Sequence, residues 1–132
     1  MRGSLRVIAL ALFLATLLPH RALRSDSFDS EQSFRTAMVA FKEKSFYSAR
    51  LLLQEIILKD PKGEYGDDAQ YYLAMTYYYE SDYKTAQFEF KALQRDFPES
   101  PFVVRAAFWN GEAWFYRKQY REAIESHAAF AR

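Results

Sequence analysis

The sequence has no cysteine in 132 residues, and only four glycines, four prolines and two histidines. Without thiols there is no disulfide, no thiolate metal site, no cysteine nucleophile and no cysteine among these residues to carry a lipid. Scarce glycine and proline argue against a turn-rich β fold and for helices with brief connections. His20 and His127 each stand without a second ligand at metal-binding spacing. The stretch "PKGEYGDD", residues 61–68, lacks the order of a phosphate-cradling loop and reads as a linker. No Gly-x-Ser-x-Gly element occurs. Glu64, Asp67 and Asp68 resemble a calcium loop only in charge, and Asp67 and Asp68 suit the positive end of a helix dipole. The residues thus predict no catalytic group, no metal and no cofactor: a binding protein rather than an enzyme.

Charge of one sign is also lacking. Residues 1–24 hold four arginines and no acid, so the remainder has 14 basic against 17 acidic residues, or −3. Such a mixed, mildly acidic surface offers no field for phosphates, which argues against nucleic acid as a partner. The N-terminal segment stands apart. Arg2 and Arg6 precede the apolar run Val7 to Leu18, and Pro19 ends it. A basic start, a run of 12 residues and a breaker describe a secretory signal, since a spanning helix needs roughly 20. Cleavage after Ala22 or Ser25 would place His20 or Leu23 at the small-residue position, which leaves an uncleaved N-terminal anchor open. The expectation is an exported protein, periplasmic or envelope-associated, touching membrane only through this segment or through a membrane-bound partner.

What the chain has in quantity is aromatic and apolar residues, 18% and 50%. They recur at a step of 37. Phe46, Tyr83 and Tyr120 form one column, and Ala49, Ala86 and Ala123 another. Leu53 matches Phe90, Ile56 matches Leu93, and Pro61 matches Pro98. Upstream, Ala37, Ala74 and Gly111 are all small, while Phe34, Tyr71 and Phe108, and Phe41, Tyr78 and Phe115, are all aromatic. Within each unit apolar residues return at three and four, which is helical spacing. Breaks such as "ESD" and "RKQ" divide a unit into two helices, and Pro61 and Pro98 end the second. The pattern predicts helices near 28–43, 46–59, 67–80, 83–96, 101–117 and 120–132, with Ser100 capping and Pro101 opening the fifth. The small columns should mark the crossing of the two helices of a unit, with the Phe46 column plugging the gap beside them.

These residues resemble tetratricopeptide repeats. The middle copy carries Leu73, Ala74, Tyr77, Tyr83, Ala86, Phe90, Leu93 and Pro98. The third keeps Gly111, Trp114, Tyr120 and Ala123 but has Asn110 for leucine and His127 for a large apolar residue; the first has Thr36 and Ala40 in its first helix. The step of 37 and the joint "DFPESPFVV" are similar to the envelope branch of that family, the BamD-like and CpoB-like proteins. The resemblance implies an all-α, right-handed superhelix of about three stacked helix-turn-helix repeats, over roughly 30–63, 67–100 and 101–132, within a domain 25–132 that follows a leader over 1–24. It implies a scaffold that binds other proteins, in outer-membrane assembly as for BamD or in division as for CpoB, or else an adaptor piece of a larger protein. Lipid attachment at a cysteine, expected of a BamD-like protein, has no residue here.

By column, the resemblance places Phe34, Met38, Phe41 and Lys42, then Tyr71, Met75, Tyr78 and Tyr79, then Phe108, Glu112, Phe115 and Tyr116 on the concave side. Such a groove would suit an apolar or aromatic-anchored protein segment, because tyrosine offers a broad face with one hydroxyl and methionine adapts its shape. At the columns where a clamp for a terminal carboxylate carries Lys and Asn, the resemblance finds Phe, Tyr and Met instead. The alternative is that long units bury these side chains against neighbouring helices. His127 and Phe130 fall in columns that normally pack on a following unit, and so form a second expected contact surface at the C-terminal face.

Overall fold

The computed structural model describes residues 28–130, with side chains to residue 128. The expected leader and the Phe130 side chain lie outside the described residues. Six helices run in order: α1 Ser30–Lys42, α2 Phe46–Lys59, α3 Gly66–Tyr79, α4 Tyr83–Asp96, α5 Val103–Tyr116 and α6 Tyr120–Phe130. Each packs chiefly on the next in the chain, making three stacked hairpins. The architecture is all-α and tetratricopeptide-like, as the periodicity predicts.

The step of 37 governs the backbone as well as the side chains. Helix α2 maps onto α4, and α3 onto α5, end for end. The turn inside each hairpin places Lys44, Ser81 and Lys118 in the left-handed region, at φ 61°, 66° and 61°. In each turn the N–H after that residue donates to a carbonyl five residues back: Ser45 to Ala40, Asp82 to Tyr77 and Gln119 to Trp114. Together with the bonds that the N–H groups of Lys44, Ser81 and Lys118 donate to Phe41, Tyr78 and Phe115, this satisfies carbonyls that a helix end leaves open. The two linkers between hairpins also repeat. The N–H of Gly63 donates to Asp60 and that of Gly66 to Gly63, as Ser100 does to Phe97 and Val103 to Ser100.

That linker corrects one expectation. Helix α5 starts at Val103, two residues after Pro101, and Phe102 holds the N-cap position without a side-chain bond. The Ser100 hydroxyl accepts from the Phe102 N–H at 3.1 Å and donates to Asp67 at 2.6 Å. It thus braces a turn and ties it to the start of α3, rather than capping a helix that begins at Pro101. Asp67 and Asp68 do lie in the first turn of α3.

The small columns are fully packed. Ala37, Ala74, Ala49 and Ala86 are sealed from solvent, Ala123 nearly so, and Gly111 is buried. Leu53, Ile56, Phe90 and Leu93 fill the space beside them. Two apolar clusters result, one centred between α1, α2 and α3 and one between α3, α4 and α5, with Phe41, Tyr72 and Tyr77 packed against both. No single hairpin closes either cluster, so stability comes from stacking neighbours.

Candidate protein-binding surface

Rings assemble between hairpins in a fixed pattern. Phe41 of α1 meets Phe46 of its own hairpin at 5.6 Å, and Tyr72 and Tyr79 of the next hairpin at 5.3 and 5.8 Å. Tyr79 then lies nearly parallel on Phe46, at 5.6 Å and 9°. One step along, Tyr78 meets Tyr83, Trp109 and Tyr116 at 5.4, 5.0 and 6.2 Å, and Tyr116 stacks on Tyr83 at 5.2 Å and 13°. A third contact repeats above these: Phe34 stacks on Tyr65 and Tyr71 on Phe102, at 5.0 and 4.7 Å. Edge-on and offset contacts of this kind suit ring quadrupoles. One hairpin therefore receives with a first-helix pair seven residues apart plus the ring opening its second helix. The following hairpin donates three rings spaced by seven, Tyr65, Tyr72 and Tyr79 or Phe102, Trp109 and Tyr116. Of the donating rings, Tyr79 and Tyr116 are among the expected concave residues, while Tyr65, Phe102, Tyr72 and Trp109 escaped the sequence reading; their signal was the same 37-residue step.

The expected concave residues divide accordingly. Tyr71 and Met75 are core, only 6% and 4% exposed. Tyr71 packs beside Phe90 and accepts a hydrogen bond from the Trp109 indole N–H at 3.1 Å. Neither presents a groove face, because the 37-residue unit folds the next hairpin over them. Phe34, Met38 and Phe41 are half-buried against the first cluster, and Tyr78 is half-buried against the second. Tyr79, Tyr116 and Phe115 stay open, at 52%, 52% and 51% exposure. Phe108 is exposed but touches Trp109 and His127. Glu112 approaches His127 Nε2 to 3.2 Å, and the His127 ring covers Gly111, so the imidazole spans the α5–α6 crossing. Phe46 and Tyr83 do more than plug their own hairpins, since each is the platform on which the next hairpin's tyrosine lies.

What remains open is a ledge along the hairpin turns, made by Tyr79 on Phe46 and Tyr116 on Tyr83. Beside its first step lies a cavity of about 290 Å³ lined by Phe41, Lys42, Lys44, Phe46 and Tyr79. Burial first, then the neighbouring Tyr116 and Glu112, pushes the Tyr78 hydroxyl well above the usual phenol range. Burial also raises Tyr71, against the pull of the Trp109 hydrogen bond. At the far end of α3, burial and then the adjacent Asp67 raise Asp68. Polar contacts between hairpins repeat as well: Arg50 of α2 pairs with Glu80, and one step on Gln87 of α4 accepts from Arg117. Among the described residues no group of His, Asp and Glu could hold a metal ion, and no helix is long and apolar enough to cross a membrane.

Stacked helical hairpins with an aromatic ledge define the class: a tetratricopeptide-like repeat protein. The chain belongs to the family described as YfiO, outer membrane lipoprotein, whose model matches residues 26–131. No curated protein matches the chain significantly. Membership gives an envelope-associated helical scaffold, with one departure, the lack of a cysteine in these 132 residues.

Proposed function

We propose that this chain is an exported scaffold that binds other proteins in the bacterial envelope, in a role similar to that of the outer-membrane assembly factor BamD. The observation that carries this reading is the family match over residues 26–131. The ledge supports it. Tyr79 and Tyr116 are large, exposed and held by the rings beneath them, so little side-chain freedom is lost when a partner docks on them. Its mechanism is docking without turnover. The apolar run Val7 to Leu18 supports export, as signal peptide or anchor.

A photo-crosslinking side chain at Tyr79 or Tyr116, used in cells, tests the reading. Capture of outer-membrane assembly proteins from both positions is the expected result. Capture of division proteins instead would move the chain to the CpoB-like role, and capture of nothing from either position would remove the ledge as a binding surface. A double Tyr79→Ala, Tyr116→Ala variant should lose capture while still folding, because each removes a half-exposed ring whose stack contributes only about 0.5–1.5 kcal/mol.

A further inference from the structure

The second helices of the first two hairpins carry an outward row that stacking leaves open. On α2, Tyr47, Leu51, Gln54 and Leu58 recur at intervals of four, three and four, so they share one face. All four are exposed, Tyr47 to 66% and Leu58 to 80%. One step of 37 along, the same row of α4 reads Lys84, Phe88, Lys91 and Arg95. It is exposed too, with Phe88 at 64%. Helix α4 has one hairpin before its own and another after it. Its neighbours bury Ala86, Gln87, Phe90, Ala92 and Leu93, but not this row. Flanking hairpins therefore do not cover the outward face, and further hairpins at either end of the array would leave the α2 row open as well.

We propose that the outer face of α2 and α4 docks on an anionic lipid surface, with Tyr47, Leu51, Leu58 and Phe88 entering the headgroup layer and Lys84 and Lys91 meeting lipid phosphates. The α2 row has no charge, and the α4 row has three cations and no acid. Outside residues 1–24 the chain carries −3, so this row is a local departure from a mildly acidic surface. Acids beside the rows are already engaged: Glu55 with Lys59, Asp96 with Arg95, and Glu89 with Gln70. Lys84 makes no ion pair among the described residues, and Lys91 lies over the Trp114 ring rather than on an acid. Large apolar side chains interleaved with long cations are the composition of helices that lie in a membrane interface. Leu58, at 80% exposure, has no wall beside it, so the α2 row is a ridge. A docking protein helix needs a groove, whereas lipid deforms around a ridge. The chain's own N-terminal segment does not suit the face, because residues 1–24 hold four arginines and no acid. A second copy does not suit it either. A two-fold axis in the plane of the face sets the α4 cations against the α2 apolar row or against one another, and supplies no acid in either case. The inference rests on the reading of the chain as an envelope protein, and departs from the expectation that membrane is touched only through the N-terminal segment or a partner.

The test uses the 132-residue chain, whose lack of cysteine allows single labels. Leu58→Cys, Phe88→Cys and, as a control on the exposed linker, Glu64→Cys each carry a nitroxide. Residues 1–24 bear an apolar run of their own, so the readout is local to the face rather than total binding. With vesicles of phosphatidylethanolamine and phosphatidylglycerol, the labels at 58 and 88 should both gain access to oxygen and lose access to a water-soluble nickel chelate. The label at 64 should stay in water. Vesicles of phosphatidylcholine alone should immerse the two labels less. Lys84→Gln together with Lys91→Gln should lower the ratio of immersed to exposed label by about tenfold or more, at about fivefold per cation. Both lysines are exposed, so a circular-dichroism melt of that variant should match its parent. Labels that stay in water beside anionic vesicles would overturn the proposal, as would immersion indifferent to lipid charge and to the lysine changes. Labels already shielded without vesicles overturn it too. Dipolar broadening between labels would then assign the face to a second copy, and shielding without broadening to another segment of the same polypeptide. Shielding that requires outer-membrane proteins in the vesicles assigns the face to a protein partner and likewise overturns it. None of these outcomes alters the crosslinking result at Tyr79, so the two readings fail separately.

Discussion

Two glycines in the first linker show how far a single side chain reaches. A Cβ at Gly66 would lie 2.5 Å from the Pro61 carbonyl oxygen and 3.3 Å from the Phe97 ring. Backbone cannot step aside as a side chain does, so the linker itself would have to move. Gly66→Ala should therefore cost about 1–3 kcal/mol, the usual range for overpacking. The atoms nearest to a Cβ at Gly63 belong to the Asp60 carboxylate, at 2.0 Å. That carboxylate can rotate toward solvent, so Gly63→Ala should be close to neutral. Urea denaturation of the two variants checks the contrast; equal effects would mean that the Pro61–Gly66 approach does not constrain the fold. At this scale the sequence spoke unevenly. Tyr71 and Met75 sit in columns that suggest a groove, yet they are buried, because column identity says which helix face a residue occupies and not how tightly the next hairpin closes over it. Asn110 shows the converse. It stands in the column of Leu73, and its side-chain oxygen is buried without a hydrogen-bond partner.

At the scale of the element, six helices were legible because their apolar residues keep helical spacing and prolines mark the exits. The turns were not. Lys44, Ser81 and Lys118 share one left-handed conformation at the same step of 37, but none is the glycine or asparagine that usually announces it. Tertiary stacking imposes the turn, and the residues tolerate it. A non-glycine residue in this region gives up about 1–2 kcal/mol, and glycine recovers that less roughly 0.5–1 for its freer unfolded state. All three side chains are exposed, so little is lost beyond the 3.4 Å hydrogen bond that Ser81 Oγ accepts from the Tyr83 hydroxyl. Replacing each with glycine should raise stability by about 0.5–1 kcal/mol, nearly additively because the sites are distant. Thermal melts of the single and triple variants decide it. A triple variant that melts lower than its parent would show that the left-handed turn is not under strain. The same reasoning explains the start of α5. Ser-Pro is a strong helix opener in isolation, but the Ser100 hydroxyl serves both the Phe102 N–H and Asp67, which delays the helix to Val103.

For the whole molecule, the array behaves as a line of neighbours, and a residue's worth depends on which neighbour covers it. Tyr78 and Phe115 occupy the same column and begin the same kind of ring cluster. Tyr78 is covered by Trp109 and Tyr116 of the hairpin that follows. Phe115 touches Tyr116 and Tyr120 and stands half open. Truncating Tyr78 should then open a void between two hairpins and cost about 2–4 kcal/mol, near the range for buried aromatics. Truncating Phe115 should cost about 1 kcal/mol or less, the value of an exposed ring pair. Equilibrium denaturation of Tyr78→Ala and Phe115→Ala measures the gap directly. If the two variants lose equal stability, position in the stack does not set a ring's contribution, and the seam between hairpins is not what holds the array together.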